Sequence, residues 1–369
     1  MRQLVPSIVL LFLTVSVSAQ IQHSRNNRIY VDEDYEYTEA ARRTRTINEQ
    51  LQKGMVFFKA GDYPAAATAF GIAATLNPKM FAAQHNLGAT HLHLGDFKAA
   101  ANDFRNAVTL DRGSAAAWHL LGFALHNLNE NEEALKCYLR AVELDNGMGV
   151  TWNNVGQAYL ELDKLDAASD AFSKALAIDP ESIETLNGLC VVQARLKQAE
   201  QAATSCSKAR TISPSMSSTY YLAWSYLDLK KYPEAITLLE DCVRSDPKKA
   251  NVYVALAEGY YRLKRLKEAL SYAEMAAQLS PDSQAGYASM AFIYFEMKKL
   301  KDAKRLFEKA LTINPGSGPA RYNLAMTCLA MKQKDCAREQ YAILKTTEPV
   351  LSTQLLDNIY SSKVIRLVK

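Results

Sequence analysis

The sequence predicts an all-α solenoid made of antiparallel helix pairs. Three observations support this fold class: a repeating period of 34 residues, apolar residues spaced three and four apart within each period, and a proline that closes most periods. Pro78 and Pro180 are 102 residues apart, which is three periods of 34. The later closing prolines, at intervals of 34, 33, 34, 34 and 34 residues, are Pro214, Pro247, Pro281, Pro315 and Pro349.

Each period has the composition of two short helices. In the second period, small residues such as Gly88 and Ala100 allow two helix axes to approach closely, and Phe104 fills the space between them. A glycine, asparagine or charged turn near the middle separates the two helices, and the proline ends the second helix. Because one helix pair cannot bury its apolar face alone, neighbouring pairs must stack.

The fourth period carries the same pattern at its corresponding places: Trp152, Val155-Gly156, Tyr159, Leu165, Ala168, Phe172, Ala175 and Pro180. This pattern resembles the tetratricopeptide repeat family over about five-sixths of the chain. The resemblance implies nine repeats over residues 47–351 in a right-handed superhelix, whose first helices line a concave groove. Two departures are Cys190 at a small-residue place and Asn129, Asp163 and later lysines at the mid-repeat glycine place.

The N-terminal residues 1–19 have the features of a signal peptide. Arg2 precedes an apolar stretch of about 14 residues, and Val17-Ser18-Ala19 places small residues at a cleavage position. The stretch is shorter than the ~20 residues that span a bilayer. We therefore expect an exported protein, periplasmic or secreted, with no membrane span after cleavage. An uncleaved N-terminal anchor is the alternative.

Two segments flank the predicted repeats. Residues 20–46 form a polar N-terminal segment that we expect to be partly disordered. Residues 352–369 are predicted to be a capping helix and tail, because Leu355, Leu356 and Ile359 give this segment an apolar face. Terminal repeats in such arrays need a polar outer surface.

The sequence lacks the common motifs of catalysis and of metal binding. It has no Gly-rich phosphate loop, Gly-x-Ser-x-Gly, His-Glu-x-x-His or paired-Cys zinc spacing. We therefore predict a protein that is not an enzyme and has no cofactor and no metal. The formal net charge of +4 is spread along the chain, which argues against a nucleic-acid partner.

The first helices of the second to fourth periods are polar where the resemblance places the groove. We predict partner contacts at His85, His119, His126, Asn153 and Gln157. His91 occupies the place of a packed tyrosine and is assigned to the core. A metal or pH-responsive histidine site is the alternative. However, the four imidazoles on these helices outside the core, those of His85, His93, His119 and His126, lie on two helices, and such an arrangement rarely converges on one ion.

Toward the C-terminus the same first-helix places become aromatic. The partner-binding prediction there comprises Tyr220, Trp224, Tyr261, Phe292, Phe295 and Tyr322. Aromatic side chains of this kind dominate interface energetics. The alternative is that several of them pack against the next helix, as we expect for Tyr226, Tyr260 and Tyr294.

Two cysteine pairs are nearly symmetric about the turn of their repeat. Cys328 and Cys336 would face each other across one helix pair, as would Cys190 and Cys206, so we predict a possible disulfide, foremost at Cys328–Cys336. The alternative is that cysteine replaces a small core residue.

These features together predict a protein-protein interaction scaffold or adaptor that binds a peptide or protein ligand in its groove. Two alternatives remain: a structural or assembly component of an envelope machine, and a glycan-binding module. A partner's identity and the oligomeric state do not follow from the residues.

Overall fold

The computed structural model describes residues 39–356, and within this range the chain is helical without a strand. Eighteen helices follow one another there as nine consecutive pairs, and residues 349–356 are also helical. We number them so that odd numbers mark the first helix of each pair. The chain forms two compact units, Met1–Val192 and Gln193–Lys369, which we treat separately.

The described part of the first unit starts with helix α1. Its helices are α1 (Glu39–Lys59), α2 (Tyr63–Leu76), α3 (Phe81–Leu94), α4 (Phe97–Leu110), α5 (Ala115–Asn127), α6 (Asn131–Leu144), α7 (Gly149–Glu161) and α8 (Leu165–Ile178); α9 (Ile183–Arg195) begins in this unit.

The second unit continues with the same alternation. Its helices are α10 (Ala199–Ile212), α11 (Met216–Asp228), α12 (Tyr232–Ser245), α13 (Ala250–Arg262), α14 (Leu266–Leu279), α15 (Gln284–Glu296), α16 (Leu300–Ile313), α17 (Gly318–Ala330) and α18 (Lys334–Thr347).

A single residue with positive φ reverses the chain inside each helix pair. Glycine fills this place in the first two pairs, at Gly61 and Gly95, with φ of 79° and 75°. The later pairs use residues with a β-carbon, at φ between 58° and 62°: Asn129, Asp163, Lys197, Lys230, Lys264, Lys298 and Lys332. The next helix then begins at once. At α2, for example, the Ala65 N–H donates to the Asp62 carboxylate, 3.1 Å away.

Glycine packed against a large ring holds each helix pair of the first unit together. A β-carbon added to Gly88 would lie 3.1 Å from the Phe104 ring, and one added to Gly122 would lie 2.7 Å from Tyr138. Gly54 meets Phe70, and Gly156 meets Phe172, in the same way. In the second unit the corresponding first-helix places hold buried alanines: Ala223, Ala257, Ala291 and Ala325. Small residues at these places therefore allow the two helix axes of each pair to lie close together.

The predicted fold class is confirmed, and nine helix pairs agree with the predicted repeat number. The signal peptide (residues 1–19), the polar segment as far as residue 38 and the tail beyond residue 356 lie outside the described residues, so these boundaries stay predictions. Among residues 39–356, no helix is both long enough and apolar enough to cross a bilayer.

Candidate functional site

A pocket of about 830 Å³ lies along the first helices of the first unit. It borders α5, α7 and the start of α9, which are the first helices of three consecutive pairs. Its lining residues include Phe123, His126, Val150, Asn153, Asn154, Gln157, Glu161, Ile178, Asp179, Glu184 and Thr185.

Two carboxamides in this pocket have unused hydrogen-bonding capacity. The side chains of Asn154 and Gln157 are half-buried on α7 and make no hydrogen bond with any residue in the range 39–356. The neighbouring Asn153 is held in place, because its Oδ1 accepts a hydrogen bond from the Thr185 hydroxyl at 3.1 Å. A carboxamide both donates and accepts, as a peptide group does.

The rest of the pocket combines apolar and acidic side chains. Val150 and Ile178 are exposed there, at 42% and 44%. His126 Nδ1 lies 3.4 Å from a Glu161 carboxylate oxygen. Asp179 and Glu184 add two further carboxylates. The pocket thus offers hydrogen-bonding groups, carboxylates and two exposed apolar side chains on one surface.

Three of the predicted polar contacts, His126, Asn153 and Gln157, meet in this pocket. The other two predicted histidine contacts, His85 and His119, do not line the pocket, because both side chains are buried, at 6% and 0% exposure. His119 Nδ1 bonds the Thr151 hydroxyl of the next pair at 2.8 Å. The stacked neighbour therefore covers this helix position. Burial lowers the pKa of both His85 and His119 to about 4.

His91 lies apart from the pocket and contacts the second helix of its own pair. Its Nδ1 lies 2.6 Å from the Asp103 carboxylate, and this hydrogen bond raises the pKa of His91. Within residues 39–356, no group of three or more histidine, cysteine or carboxylate side chains is arranged to hold a metal ion.

In the second unit the predicted aromatic residues form two separate pairs. Tyr220 and Trp224 on α11 meet edge to face, with ring centroids 6.3 Å apart. Tyr261 on α13 meets Phe292 on α15 with centroids 5.0 Å apart, and both rings line a smaller pocket of about 330 Å³. All four side chains are half-buried, so each keeps a surface that a partner could cover.

The other two predicted aromatic contacts differ in their surroundings. Phe295 is half-buried, with the Lys298 ammonium 5.8 Å above its ring. Tyr322 packs against the buried cluster that contains Leu344 and Leu355, so it is part of the apolar core at the last helix pair. Tyr260, which we assigned to the core, is buried and stacks on Tyr272 at 5.1 Å.

Most lining residues of the larger pocket were not among the predicted contacts, including Val150, Asn154, Glu161 and Ile178. Val150 and Glu161 share α7 with the predicted contacts. Ile178 ends the second helix α8, and other second helices also end in an exposed aliphatic residue, for example Leu110 and Ile212. The sequence therefore carried no signal that singled out Ile178.

A disulfide joins Cys328 on α17 to Cys336 on α18, with Cα atoms 5.9 Å apart. This separation lies in the usual range for such bonds. Cys137 and Cys242 are buried free thiols, whereas neither Cys190 nor Cys206 is a free thiol.

Family comparisons agree with the helix pairs. Two profiles described as tetratricopeptide repeat match residues 51–114 and 220–284, and residues 91–147 and 294–349. A profile for the CABIN1 N-terminal domain matches residues 123–215. No curated protein sequence is significantly similar to the chain.

Solved structures of other repeat proteins share the architecture. A tetratricopeptide repeat protein from Parabacteroides merdae has a TM-score of 0.52 and 18% identity, and the match covers 67% of this chain and 98% of that one. The APC/C hetero-tetramer Cut9-Hcn1 has a TM-score of 0.53 and 17% identity, covering 80% of this chain and 59% of that one. At identities this low, the similarity establishes the fold alone.

Proposed function

Because the chain belongs to the tetratricopeptide repeat family, whose profiles match more than half of it, we propose that it is a non-enzymatic scaffold that binds a partner polypeptide along its first helices. Stacked helix pairs of this kind present long surfaces that suit extended ligands. The partner would be an extended peptide segment or a protein that offers one. The signal-like features predicted for residues 1–19 favour a site of action outside the cytoplasm.

The observation that carries the proposal is the pair of carboxamides in the larger pocket. The side chains of Asn154 and Gln157 each offer a hydrogen-bond donor and an acceptor. Neither side chain makes a hydrogen bond to a described residue. A peptide backbone presents the complementary pair at every residue other than proline. Leaving such groups unpaired under a bound ligand would be costly, which favours a ligand that can pair them.

The apolar lining supports a polypeptide over a purely polar polymer. Val150 and Ile178 are exposed. Covering them with an apolar side chain of the ligand would stabilise the complex by about 25 cal/mol per Å² of apolar surface removed from water. Within the second unit, the aromatic pairs Tyr220–Trp224 and Tyr261–Phe292 offer apolar surface of their own.

The test is capture of partners from envelope extract with the full chain as bait. We expect the double substitution Asn154→Ala and Gln157→Ala to lose most of the captured partner, because the pocket loses both carboxamides. Asp170→Ala is the matched control, since Asp170 is exposed on the second helix α8. If the double variant captures the partner as well as the native chain does, this pocket is not the binding site.

A further inference from the structure

The turns inside the helix pairs of the second unit carry a run of cations. We call this set the basic turn series; its members are Lys197, Lys230, Lys231, Lys264, Arg265, Lys298, Lys299 and Lys332. The equivalent turns of the first unit are mostly acidic or neutral: Gly61-Asp62, Gly95-Asp96, Asn129-Glu130 and Asp163-Lys164. The charge of these turns therefore changes sign between the two units.

Within the second unit, contacts connect the turn of one pair to the first helix of the next. The Lys197 ammonium lies 3.6 Å from the Asp228 carboxylate at the end of α11, and 5.9 Å over the Trp224 ring. Equivalent turns in a stacked array follow one edge. The basic turn series thus borders the ends of the first helices that carry the aromatic pairs.

The lysines of this series occupy a backbone conformation that favours glycine. Lys230, Lys264 and Lys298 have φ of 61°, 61° and 62°. Side chains with a β-carbon are disfavoured there, and asparagine is tolerated better than lysine. Lysine nevertheless recurs at all five of these turns from residue 197 to residue 332. Outliers of this kind concentrate where the side chain has a role.

Most of these cations are free to meet an anion. Among described residues, Lys197 pairs with Asp228 and Arg265 with Glu268, whereas the other six make no ion pair. Glu258 and Glu296 are the carboxylates near Tyr261, and neither is paired with a lysine of the series.

Several of the cations instead lie above aromatic rings. The Lys264 ammonium is 5.1 Å from the Tyr261 ring and that of Lys298 is 5.8 Å from Phe295. Lys231 over Tyr226 and Lys299 over Tyr294 repeat the arrangement at 5.4 and 5.6 Å. Ammonium groups held over rings are partly positioned before any ligand arrives.

We propose that the basic turn series, with the aromatic side chains beside it, binds an acidic segment of a partner polypeptide that also carries aromatic residues. This proposal rests on the polypeptide-binding function proposed above and names the chemistry of the ligand. The first helices of successive pairs contact each other in this unit. Helices in contact lie about 8–10 Å apart, and an extended chain rises about 3.3 Å per residue. An acidic residue at about every third position would therefore meet successive turns.

The closing experiment measures the affinity of the full chain for a fluorescent twelve-residue peptide that repeats Glu-Tyr-Ser. We expect binding that weakens as salt is added, because exposed charges are screened. Replacing glutamate by glutamine should abolish most of the affinity. Replacing the peptide's tyrosines by serine should reduce the affinity, because the aromatic side chains of the protein beside the cations then have no aromatic ring of the peptide to contact.

The test variant carries Lys230→Gly, Lys264→Gly and Lys298→Gly. Glycine accepts the positive φ, so the variant should melt no lower than the native chain. It should bind the peptide about tenfold more weakly, given the usual strength of exposed charge pairs. The matched control carries Lys79→Gln, Lys98→Gln and Lys345→Gln, which remove the same charge from exposed residues away from these turns and their aromatic neighbours.

Three results would overturn the inference: equal affinity in the glycine variant, equal weakening in both variants, or preferential binding of a single-stranded oligonucleotide or of phosphatidylglycerol vesicles over the peptide. The proposed function can be judged separately. If the glycine variant still captures the envelope partner and the Asn154→Ala, Gln157→Ala variant does not, the scaffold function stands and the acidic ligand is excluded.

Discussion

The Phe172 ring packs directly on Gly156, so that a β-carbon added to residue 156 would lie 2.6 Å from it. A second glycine, Gly188, approaches the same ring within 2.5 Å of its would-be β-carbon. Phe172 has no exposed surface. The ring is therefore held between two helices that only glycine allows to come this close.

Gly156→Ala should destabilise the first unit. The new methyl group must displace a fully buried ring, and overpacking of this kind commonly costs about 1–3 kcal/mol. The higher helix propensity of alanine offsets part of that cost. Thermal unfolding followed by circular dichroism should show a lower midpoint.

Gly71→Ala is the matched control, because nothing lies within 4 Å of the β-carbon it would add. Only the higher helix propensity of alanine then changes the stability, so the substitution should raise the free energy of unfolding by roughly 1 kcal/mol. Equal shifts for the two variants would contradict the packing account.

The fold followed from the sequence because each determinant is local and recurs. Gly88 and Phe104 stand sixteen residues apart within one period, and the same pairing repeats in the other pairs of the first unit. Apolar spacing within the helices and the residues at the turns then specify the helix pair. The number of helix pairs could be counted from the seven closing prolines together with the 34-residue period, which places two further pair ends between Pro78 and Pro180.

The site was less predictable because it depends on how neighbouring pairs cover one another. His119 and Asn153 occupy equivalent places one period apart, yet His119 is buried and Asn153 lines the pocket. The basic turn series was also missed. Its turns are separated by about one period, and each holds only one or two cations, so no basic block stands out in the sequence.

The buried histidines should make the first unit sensitive to acid. Burial lowers the pKa of His85 and His119 from 6.5 to about 4 in the folded state. As pH falls below about 6.5 the unfolded chain takes up protons that the folded chain does not, so stability decreases. Each histidine contributes roughly 1.4 kcal/mol per pH unit down to about pH 4. Urea unfolding at pH 7 and pH 5 measures the slope.

His119→Gln should flatten this slope, because glutamine does not titrate and can still bond Thr151. His91→Gln serves as a control of opposite sign. Its hydrogen bond to Asp103 raises the pKa of His91, so the stability it contributes is present at low pH and is lost as pH rises through the raised pKa. An unchanged slope in His119→Gln would show that His119 does not drive the acid sensitivity.

Trp224→Ala should weaken partner binding by about 30-fold or more, as expected for an aromatic anchor worth about 2 kcal/mol. Trp224 is half-buried and touches Tyr220 and the Lys197 ammonium, so thermal stability should fall only modestly. Affinity for the captured partner and the unfolding midpoint are measured on the same sample.

Trp152→Ala is the matched control for that substitution. Trp152 packs against the core, and its Nε1 donates to the Asn146 carbonyl at 3.1 Å, so its loss should lower stability more than affinity. A large fall in stability for Trp224→Ala, with unchanged affinity, would place Trp224 in the core instead.

Cys328 and Cys336 should be oxidised in protein taken from an exported compartment. Unfolded, unreduced protein should then show fewer than the six thiols that the sequence contains. Unfolding is needed because Cys137 and Cys242 are buried, and burial raises the pKa of each thiol to about 11. A reduced sample should return all six thiols; six thiols without reduction would exclude the disulfide.

Export predicts that the mature chain starts at or near Gln20. Arg2 and the short apolar stretch are features of a secretory signal peptide, and Val17-Ser18-Ala19 places small residues where a signal peptidase would cleave. N-terminal sequencing of protein from the exported fraction measures the start directly. Ala19→Leu is the control, because a large side chain next to the cleaved bond should block processing and leave a longer chain. A mature protein that still begins at Met1 in the cytoplasm would remove the support for an exported scaffold, while leaving the repeat fold and its pocket unaffected.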